Sequence, residues 1–532
     1  MNFTPTYPFS PDYDDRIIVV SGTTSGDSLT RRVYDSVSQQ WHESTFSYFP
    51  QVDVCAPGYD LMGTTPTRYG DSLNPCLKKG WPFYGFNAGT SFSTPIVAGL
   101  IGLIKSSNPW LSPAQVQDII KGNVDPVLDA NDYKLPNGMS QTGTGRINAY
   151  KAIMEADSLV KNYYICDSTE VVWEDSVYVK DFVKICSGST LRVKSDVFFK
   201  EKGRVVVECG GKLIVEGGRL TGQPHKLWQG VIAYSNSSLT QNYINQSTVV
   251  VQDNGIIENA IVGISTVQPM PDEGSGLPGQ LIDYKGGAIV VCNTAIFKNN
   301  KVAVDFKPYS FSNMSSFAKC QFITDIPKLV DESLPSYFVK MNSVTGIHYK
   351  GCHFENSAID GGVGSGIYSY NSAFSVDEYC QSQVYPCSSY ISTDFLSLNY
   401  GIYMLGSATT RTARIENCEF RNNNTGIYAS GIIGLKVNHN LFIPDPVNSS
   451  NINNTILGGL YLDGCTAYTV EENNFISNTT FGQSGIKVGI VINNSGSDNN
   501  YVYLNTFTGL DYGAHAQNKN RSANGLTGLQ FK

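Results

Sequence analysis

The chain has 532 residues, a length that suggests more than one domain. Only 16% of the residues are charged and the formal net charge is −8, which argues against nucleic acid or an anionic membrane surface as a partner. The longest apolar run, residues 95–104, is too short to cross a bilayer, so no membrane span is expected.

Residues 1–160 alternate between predicted strands and helices, as α/β domains do. The predicted strands cover residues 17–22 and 52–55, and the predicted helices cover residues 95–104, 112–122 and about 149–161. Pro95 suits the first turn of the first helix, and the sequence from there to Ile104 is apolar all round. A helix without a polar face is typical of a buried one, so we expect close neighbours on every side, including at Gly99 and Gly102.

A polar Gly89-Thr90-Ser91 sequence lies at the start of this helix. Backbone N–H groups point outward at a helix N-terminus and the dipole there is positive, so a hydroxyl at this place lies where a developing oxyanion can be stabilised. The alternative is that Thr90 and Ser91 only cap the helix. The longer sequence context favours the first interpretation.

The stretch from Gly89 to Gly99 resembles the nucleophile motif Gly-Thr-Ser-x-x-x-Pro-x-Val-Ala-Gly of the subtilisin-like serine peptidases. Further landmarks of that family follow the family's order, namely Tyr7-Pro8 with the strand at 17–22, Val52–Gly58 and Gly143–Ala149. The resemblance implies that residues 1–160 are the C-terminal part of a three-layer α/β catalytic domain. It also implies that Ser91 is the nucleophile, that the Ser91 backbone N–H helps to bind the oxyanion, and that the substrate is a protein or peptide.

The other two members of the catalytic triad have no clear counterpart. In this family the triad runs Asp, His, Ser along the chain. Only His42 precedes Ser91, and it lacks the family's His-Gly-Thr context, so we interpret it as a surface-loop histidine. No Asp-Ser/Thr-Gly motif precedes Ser91 either. We therefore expect a fragment that is inactive alone, with any signal sequence upstream of it.

The 12 cysteines fall into two groups. Three pairs are close in sequence and near turns, so we expect the disulfides Cys55–Cys76, Cys166–Cys186 and Cys380–Cys387. The other six stand alone in strand-like sequence and are expected to be reduced and buried: Cys209, Cys292, Cys320, Cys352, Cys418 and Cys465. No Cys-x-x-Cys and no histidine cluster occur in the sequence, so neither a metal nor a cofactor is expected.

After about residue 165 the helical spacing ends and a repeat of short strands begins. One half of the repeat ends in Phe, often followed by Asn, and the other half begins with Gly and an apolar residue. The repeated phenylalanines are Phe297, Phe322, Phe354, Phe374, Phe420, Phe442, Phe475 and Phe507, with one long gap before Phe420. One strand–turn–strand coil per repeat predicts a solenoid whose coils share one core.

This repeat resembles the right-handed parallel β-helix of pectate-lyase-like proteins. We expect a connecting β segment over residues 161–204 and the β-helix over residues 205–532, with Phe420 inside the coil stack and Arg421 outside it. The alternatives are a β-sandwich or several small β domains. The expected fold class is thus multidomain: a partial subtilisin-like α/β domain followed by a right-handed parallel β-helix.

Two function classes fit these features, and a third is less well supported. The first is a bacterial subtilisin-like serine endopeptidase, secreted or at the cell surface, whose β-helix is a stalk or binds a cell-surface glycan or protein. The second is a non-catalytic surface or adhesive protein that carries a peptidase remnant.

The third is a carbohydrate-active β-helix. Asp377-Glu378 lies in an insertion between coils, but carboxylates do not recur at coil spacing. Strand tyrosines are able to stack on sugars, although they usually serve packing; the ones considered are Tyr368, Tyr370, Tyr400 and Tyr403.

Overall fold

The computed structural model describes residues 17–35, 37–46, 48, 50–64, 84–134, 137–138, 140–267, 285–358, 364–382, 386–407, 412–444, 456–477 and 485–532. The chain forms two compact units, residues 1–160 and residues 161–532. The Tyr7-Pro8 landmark and Cys76 lie outside the described residues.

The N-terminal unit combines a small, mostly parallel sheet with three helices. Its elements are β1 (Val20–Thr23), β2 (Thr30–Asp35), β3 (Gln40–Thr45), β4 (Val54–Pro57), β5 (Leu61–Thr64), β6 (Tyr84–Asn87), α1 (Thr90–Ser107), α2 (Pro113–Gly122), β7 (Val124–Asp125), a 3₁₀ helix (Ala130–Tyr133), β8 (Arg146–Ile147) and α3 (Ala149–Ser158). The sheet order is β1-β4-β8-β7, with β1, β4 and β8 parallel and β7 antiparallel to β8. Strands β2 and β3 form a hairpin, and β5 pairs antiparallel with β6.

Helix α1 contributes one face to the core of this unit. Its buried side chains are Ser93, Val97, Leu100 and Ile104. Their spacing of three or four residues defines a single helical face, which packs with Val54 and Ala56 of β4. At Gly99 and Gly102 on the exposed side, an added β-carbon would meet no atom within 4 Å. The expectation of burial on every side is wrong, because among the described residues neighbours cover only one face.

Helix α2 begins at the capping box that the sequence indicates. Ser112 Oγ accepts a hydrogen bond from the Gln115 N–H (3.2 Å), and the Gln115 side chain accepts one from the Ser112 N–H (2.8 Å). Helix α3 ends at Ser158, slightly earlier than expected, because Lys161 already begins the first strand of the second unit.

The second unit is a parallel β-helix in which successive coils add strands to three parallel sheets, here called A, B and C. Sheet A contains Glu170–Trp173, Thr190–Val193, Lys212–Glu216, Thr248–Gln252, Ile289–Asn293, Ser316–Ala318, Thr345–Lys350, Ala373–Asp377, Ala413–Glu416, Lys436–Asn438, Thr469–Glu471, Asn500–Tyr503 and Leu529–Phe531. Sheet B contains Lys161–Ile165, Val177–Ile185, Arg204–Val207, Gly230–Tyr234, Val262–Val267, Val302–Phe306, Tyr337–Asn342, Ser365–Tyr370, Tyr400–Leu405, Thr425–Ser430, Ile456–Asp463, Ile486–Asn493 and Tyr512–Gln517.

Sheet C starts beside the first half of the long strand Val177–Ile185. It contains Asp196–Phe199, Arg219–Gly222, Ile256–Glu258, Ile296–Lys298, Gln321–Thr324, His353–Asn356, Thr393–Leu396, Cys418–Arg421, Leu441–Ile443, Asn474–Ile476 and Thr506–Thr508. A separate antiparallel hairpin, Tyr379–Cys380 with Tyr390–Ile391, is inserted between sheets A and C in the chain. Residues 161–204, expected as a connecting segment, already contribute strands to all three sheets. The coil pairing confirms the expected parallel β-helix.

A column of stacked phenylalanines fills the interior behind sheet C and ends at Phe507, which is exposed. Its members are Phe297, Phe322, Phe354, Phe395, Phe420, Phe442, Phe475 and Phe507, with successive ring centroids 4.5–5.2 Å apart. Phe420 is buried and Arg421 is exposed, since alternate strand positions face opposite ways. Phe374 is not in this column: it lies in sheet A, and Phe395 takes its place within the long gap of the repeat.

In five coils, the glycine before the apolar residue of the sheet B strand leaves room for the phenylalanine of the next coil. At Gly426, an added β-carbon would lie 2.8 Å from the Phe442 ring and 2.6 Å from Gly459 O. Similar contacts recur at Gly366, Gly401, Gly459 and Gly489. The sequence repeat therefore arises from one packing contact, in which a glycine of one coil lies against a phenylalanine of the next.

Asparagines form a ladder at the turn between sheets A and C. The Asn440 N–H donates to Asn473 Oδ1 (2.9 Å), and the Asn473 N–H donates to Asn505 Oδ1 (3.0 Å). One coil earlier, the Cys418 N–H donates to Asn440 Oδ1 (2.9 Å). These side chains supply acceptors for buried turn N–H groups, which would otherwise be unpaired at a cost in stability.

The structure contains the expected Cys166–Cys186 and Cys380–Cys387 disulfides. Cys55 is a buried free thiol that lies 3.3 Å from Thr142 O, and its expected partner Cys76 is outside the described residues. The free repeat cysteines at positions 292, 320, 352, 418 and 465 are buried, whereas Cys209 is only half-buried.

Candidate active site

Ser91 is the second residue of α1, and its side chain is exposed. Gly89, just before the helix, has a φ of 144°, which favours glycine. The Gly89 N–H donates to Gly58 O over 2.7 Å. This bond fixes the start of the helix to the turn that follows β4.

Ser93 provides a second attachment between the same two segments. Its buried Oγ lies 3.2 Å from Ala56 O and 3.1 Å from Pro57 O, within hydrogen-bond distance of both. An added β-carbon at Gly58 would lie 2.6 Å from Ser93 Oγ and 3.1 Å from Gly22 Cα. The structure therefore brings together two of the sequence landmarks, the Val52–Gly58 stretch and the stretch that carries Ser91.

The surroundings of Ser91 favour negative charge. The first N–H groups of a helix have no partner within it, and the helix dipole is positive there. Helix α1 carries no acidic residue in its first turn that would offset this charge. In the part of the chain that the structure describes, no hydrogen bond joins the Ser91 hydroxyl to another residue. This geometry suits oxyanion stabilisation, but it shows no general base in contact with Ser91.

His42 lies in the middle of β3, opposite Val33 of β2. The interpretation of His42 as a loop histidine is therefore wrong, because the residue belongs to a hairpin strand. Its side chain is outside what the structure describes.

Sequence reasoning missed Asp129, which holds the start of the β2–β3 hairpin. Its carboxylate accepts hydrogen bonds from the Leu29 N–H (2.8 Å), the Thr30 N–H (3.0 Å) and the Ser28 hydroxyl. Burial opposes ionisation, but the hydrogen bonds from Ser28, Leu29 and Thr30 prevail and lower the pKa of Asp129. No local pattern marks this residue, since its partners lie about 100 positions earlier in the chain.

The tyrosines on the outer face of sheet B form a column of rings: Tyr337, Tyr368, Tyr403, Tyr428 and Tyr461, with successive centroids 4.8–5.9 Å apart. Tyr400 packs beside it, 4.8 Å from Tyr403. Rings that cover one another's faces do not offer those faces to a sugar, so the packing interpretation is favoured.

His353 is the centre of an ion-pair network on sheet C. Its Nδ1 lies 2.8 Å from Asp394 Oδ2 and its Nε2 lies 3.1 Å from Glu355 Oε2. The hydrogen bond to Asp394, assisted by Glu355 and opposed by burial, raises the pKa of His353 to about 9.

The described residues contain neither a cluster suited to a metal ion nor a helix suited to a membrane. No group of three or more His, Cys, Asp or Glu side chains there is placed to hold a metal ion. No described helix combines the length and apolar character that a membrane span requires.

Comparison with known proteins concerns mainly the N-terminal unit. Residues 6–145 match the family model described as the Subtilase family. Serine protease AprX of Bacillus subtilis (strain 168) is 29% identical over 150 residues, which are 27% of this chain and 31% of the relative. Thermitase of Thermoactinomyces vulgaris is 30% identical over 149 residues, 28% of this chain and 40% of the relative. The chain thus spans less than half the length of these relatives.

The solved structures that resemble the chain do so only weakly. The periplasmic alginate epimerase AlgG has a TM-score of 0.29 and 9% identity, covering 67% of this chain and 78% of the other. Tailspike protein 2 of Escherichia coli O157:H7 bacteriophage CAB120 has a TM-score of 0.33 and 10% identity, covering 91% and 62%. The solenoid assignment rests instead on the strand pairing of this chain. Residues 6–145 thus match the Subtilase family model, and residues 161–532 form a parallel β-helix.

Proposed function

We propose that the N-terminal unit carries the nucleophile of a subtilisin-like serine endopeptidase, and that this nucleophile is Ser91. The observation that supports this most directly is the exposed Ser91 at the start of α1, held by the Gly89 N–H to Gly58 O bond. It lies within the residues that match the Subtilase family.

In the proposed reaction, Ser91 Oγ bonds to the carbonyl carbon of a peptide while its proton passes to a base. The charge then on the carbonyl oxygen is stabilised by the Ser91 N–H and the helix dipole. The C–N bond breaks as the amine takes the proton, and water releases the acyl group from Ser91. Serine without a base is a poor nucleophile at neutral pH. The base that this reaction needs is, in this family, a histidine that precedes the serine.

Fluorophosphonate labelling tests the proposal. The natural gene product, isolated from its source, should label at Ser91, and Ser91→Ala should abolish the labelling whereas Ser106→Ala in the same helix should not. The 532-residue chain alone should not label, because its Ser91 hydroxyl has no described partner that would accept its proton. Labelling of that chain at Ser91 would mean that it contains the base, with His42 as the first candidate.

The second candidate function is a surface protein whose peptidase unit does not act. If the natural product stays unlabelled while folded, this function replaces the peptidase. In either case we propose a binding or spacing role for the solenoid and a location outside the bacterial cell. The two disulfides support that location, since such bonds persist in oxidising compartments.

A further inference from the structure

A cleft of about 560 Å³ lies on the solenoid beside the inserted hairpin strands Tyr379–Cys380 and Tyr390–Ile391. Two carboxylates, a lysine, an amide, two tyrosine rings and a disulfide-bonded cysteine line it: Asp377, Glu378, Lys350, Asn417, Tyr379, Tyr390 and Cys380. Pockets that combine a few convergent polar groups with aromatic surface are typical of binding sites.

The base of the hairpin is held firmly. Thr393 Oγ1 donates to Asp377 O (2.6 Å) and accepts a hydrogen bond from the Cys352 N–H (3.1 Å). Cys380 and Cys387 are joined by a disulfide within the hairpin. An added β-carbon at Gly351 would lie 2.6 Å from the Tyr379 β-carbon, so this glycine lets the hairpin lie close to the coil below. The cleft is therefore formed before any ligand binds.

One carboxylate in the cleft is fixed in position and the other is unpaired. Asp377 Oδ1 accepts hydrogen bonds from the Glu378 N–H (2.9 Å) and from Asn417 Nδ2 (3.0 Å), and Arg414 Nη2 lies 3.6 Å from Asp377 Oδ2. Among the described residues, neither the Glu378 carboxylate nor the Lys350 ammonium has a hydrogen bond or ion pair. An acceptor and a donor thus face the cleft without partners.

The lining indicates the kind of ligand. Among the described residues, no aliphatic side chain lines the cleft, so they form no pocket for the apolar side chains of a peptide. Charges of both signs surround the cleft. Arg414 lies 3.6 Å from Asp377 and 3.4 Å from Glu416, and Lys319 Nζ lies 4.9 Å from the centre of the Tyr379 ring. This mixture favours neither a polyanion nor a polycation. Sugar hydroxyls both donate and accept hydrogen bonds, so they can pair with the carboxylates as well as with the lysine and the amide of the cleft. The half-exposed ring of Tyr390 offers an apolar surface to the C–H face of a sugar.

We propose that this cleft binds a neutral oligosaccharide. The proposal deepens the binding role suggested for the solenoid and does not depend on peptidase activity.

Calorimetric titration of the full chain with cellohexaose, xylohexaose, mannohexaose and chitohexaose tests it. At least one of these should bind, and Tyr390→Ala or Asp377→Asn should weaken its binding at least tenfold. Tyr390→Phe should retain binding, since it keeps the ring. Tyr243→Ala, at an exposed tyrosine elsewhere on the solenoid, should change nothing, and Ser91→Ala should also bind normally.

Three results would overturn the proposal: no binding of any of the four hexasaccharides, binding that Tyr390→Ala leaves intact, or binding only of polygalacturonate or of peptides. Unchanged melting temperatures of the variants exclude misfolding as the cause of a loss. Because Ser91→Ala is included, failure here is distinguishable from failure of the peptidase proposal.

Discussion

Phe420 and Arg421 are neighbours in one strand of sheet C and face opposite ways. Phe420 is 1% exposed and stacks between Phe395 and Phe442 at 4.9 and 4.8 Å. We expect Phe420→Ala to lower the free energy of unfolding by about 3–5 kcal/mol, as the loss of a core aromatic does. Arg421 pairs with Glu419 at the surface, so Arg421→Ala should change it by no more than about 0.5 kcal/mol. Urea unfolding of the full chain measures both, and equal effects would contradict the inside–outside assignment.

His353 makes part of the stability depend on pH. Its pKa is raised to about 9 in the folded chain, while an unfolded histidine titrates near about 6.5. The protonated form is therefore bound more tightly by the fold, so this stabilisation is complete below about pH 6.5 and is lost as pH rises through 9. The melting-temperature difference between wild type and His353→Gln should be largest near about pH 6, where Asp394 and Glu355 are still ionised, and should disappear above about pH 9. His225→Asn, at an exposed histidine, is the control, and a difference that grew as pH rose above about 6 would refute the assignment.

Replacement by alanine should have opposite effects on stability at Gly58, which contacts the start of α1, and at Gly99 within α1. A methyl group at Gly58 would collide with Ser93 Oγ and Gly22 Cα, whereas one at Gly99 would enter open space. Gly58→Ala should destabilise the start of α1 by about 1–3 kcal/mol, as overpacking does. Gly99→Ala should stabilise the helix by up to about 1 kcal/mol, because alanine is the better helix former. Hydrogen exchange of α1 peptides measures both, and faster exchange in Gly99→Ala would mean that this side of the helix is covered.

At the level of elements, the sequence predicts the regular spacing of residues well, but it does not predict which elements pack against one another. The capping box of α2 and the coil repeat are local patterns, and both are present in the structure. The one-sided burial of α1 depends on what surrounds the helix, which apolar composition does not show. Phe374 and Phe395 both lie in strands, so the local pattern does not show that Phe395, and not Phe374, belongs to sheet C. The Asp377 cleft depends on Asn417 and Lys350 from other coils, so the pair of adjacent carboxylates alone did not reveal it.

Across the whole molecule, the cysteines should report the compartment in which the chain folds. Non-reducing peptide mapping of protein made in an oxidising compartment should find Cys166–Cys186 and Cys380–Cys387 linked. Burial raises the pKa of the Cys55 thiol to about 12, so this cysteine should resist iodoacetamide until the chain is unfolded. Half-buried Cys209 should react faster than the fully buried thiols of the solenoid. A Cys55–Cys76 peptide, or free thiols at all four linked positions, would contradict these assignments.

The glycine–phenylalanine contact joins one coil to the next in the same way at Gly366, Gly401, Gly426, Gly459 and Gly489. If one of these coils were removed, the coils on either side of it would present a glycine surface and a phenylalanine surface that can pack together in the same way. Gene duplication or in-frame deletion of one coil would thus lengthen or shorten the solenoid by one strand spacing, about 4.8 Å, without requiring a new core. The distance that the solenoid spans is therefore a property that evolution can adjust in steps of single coils.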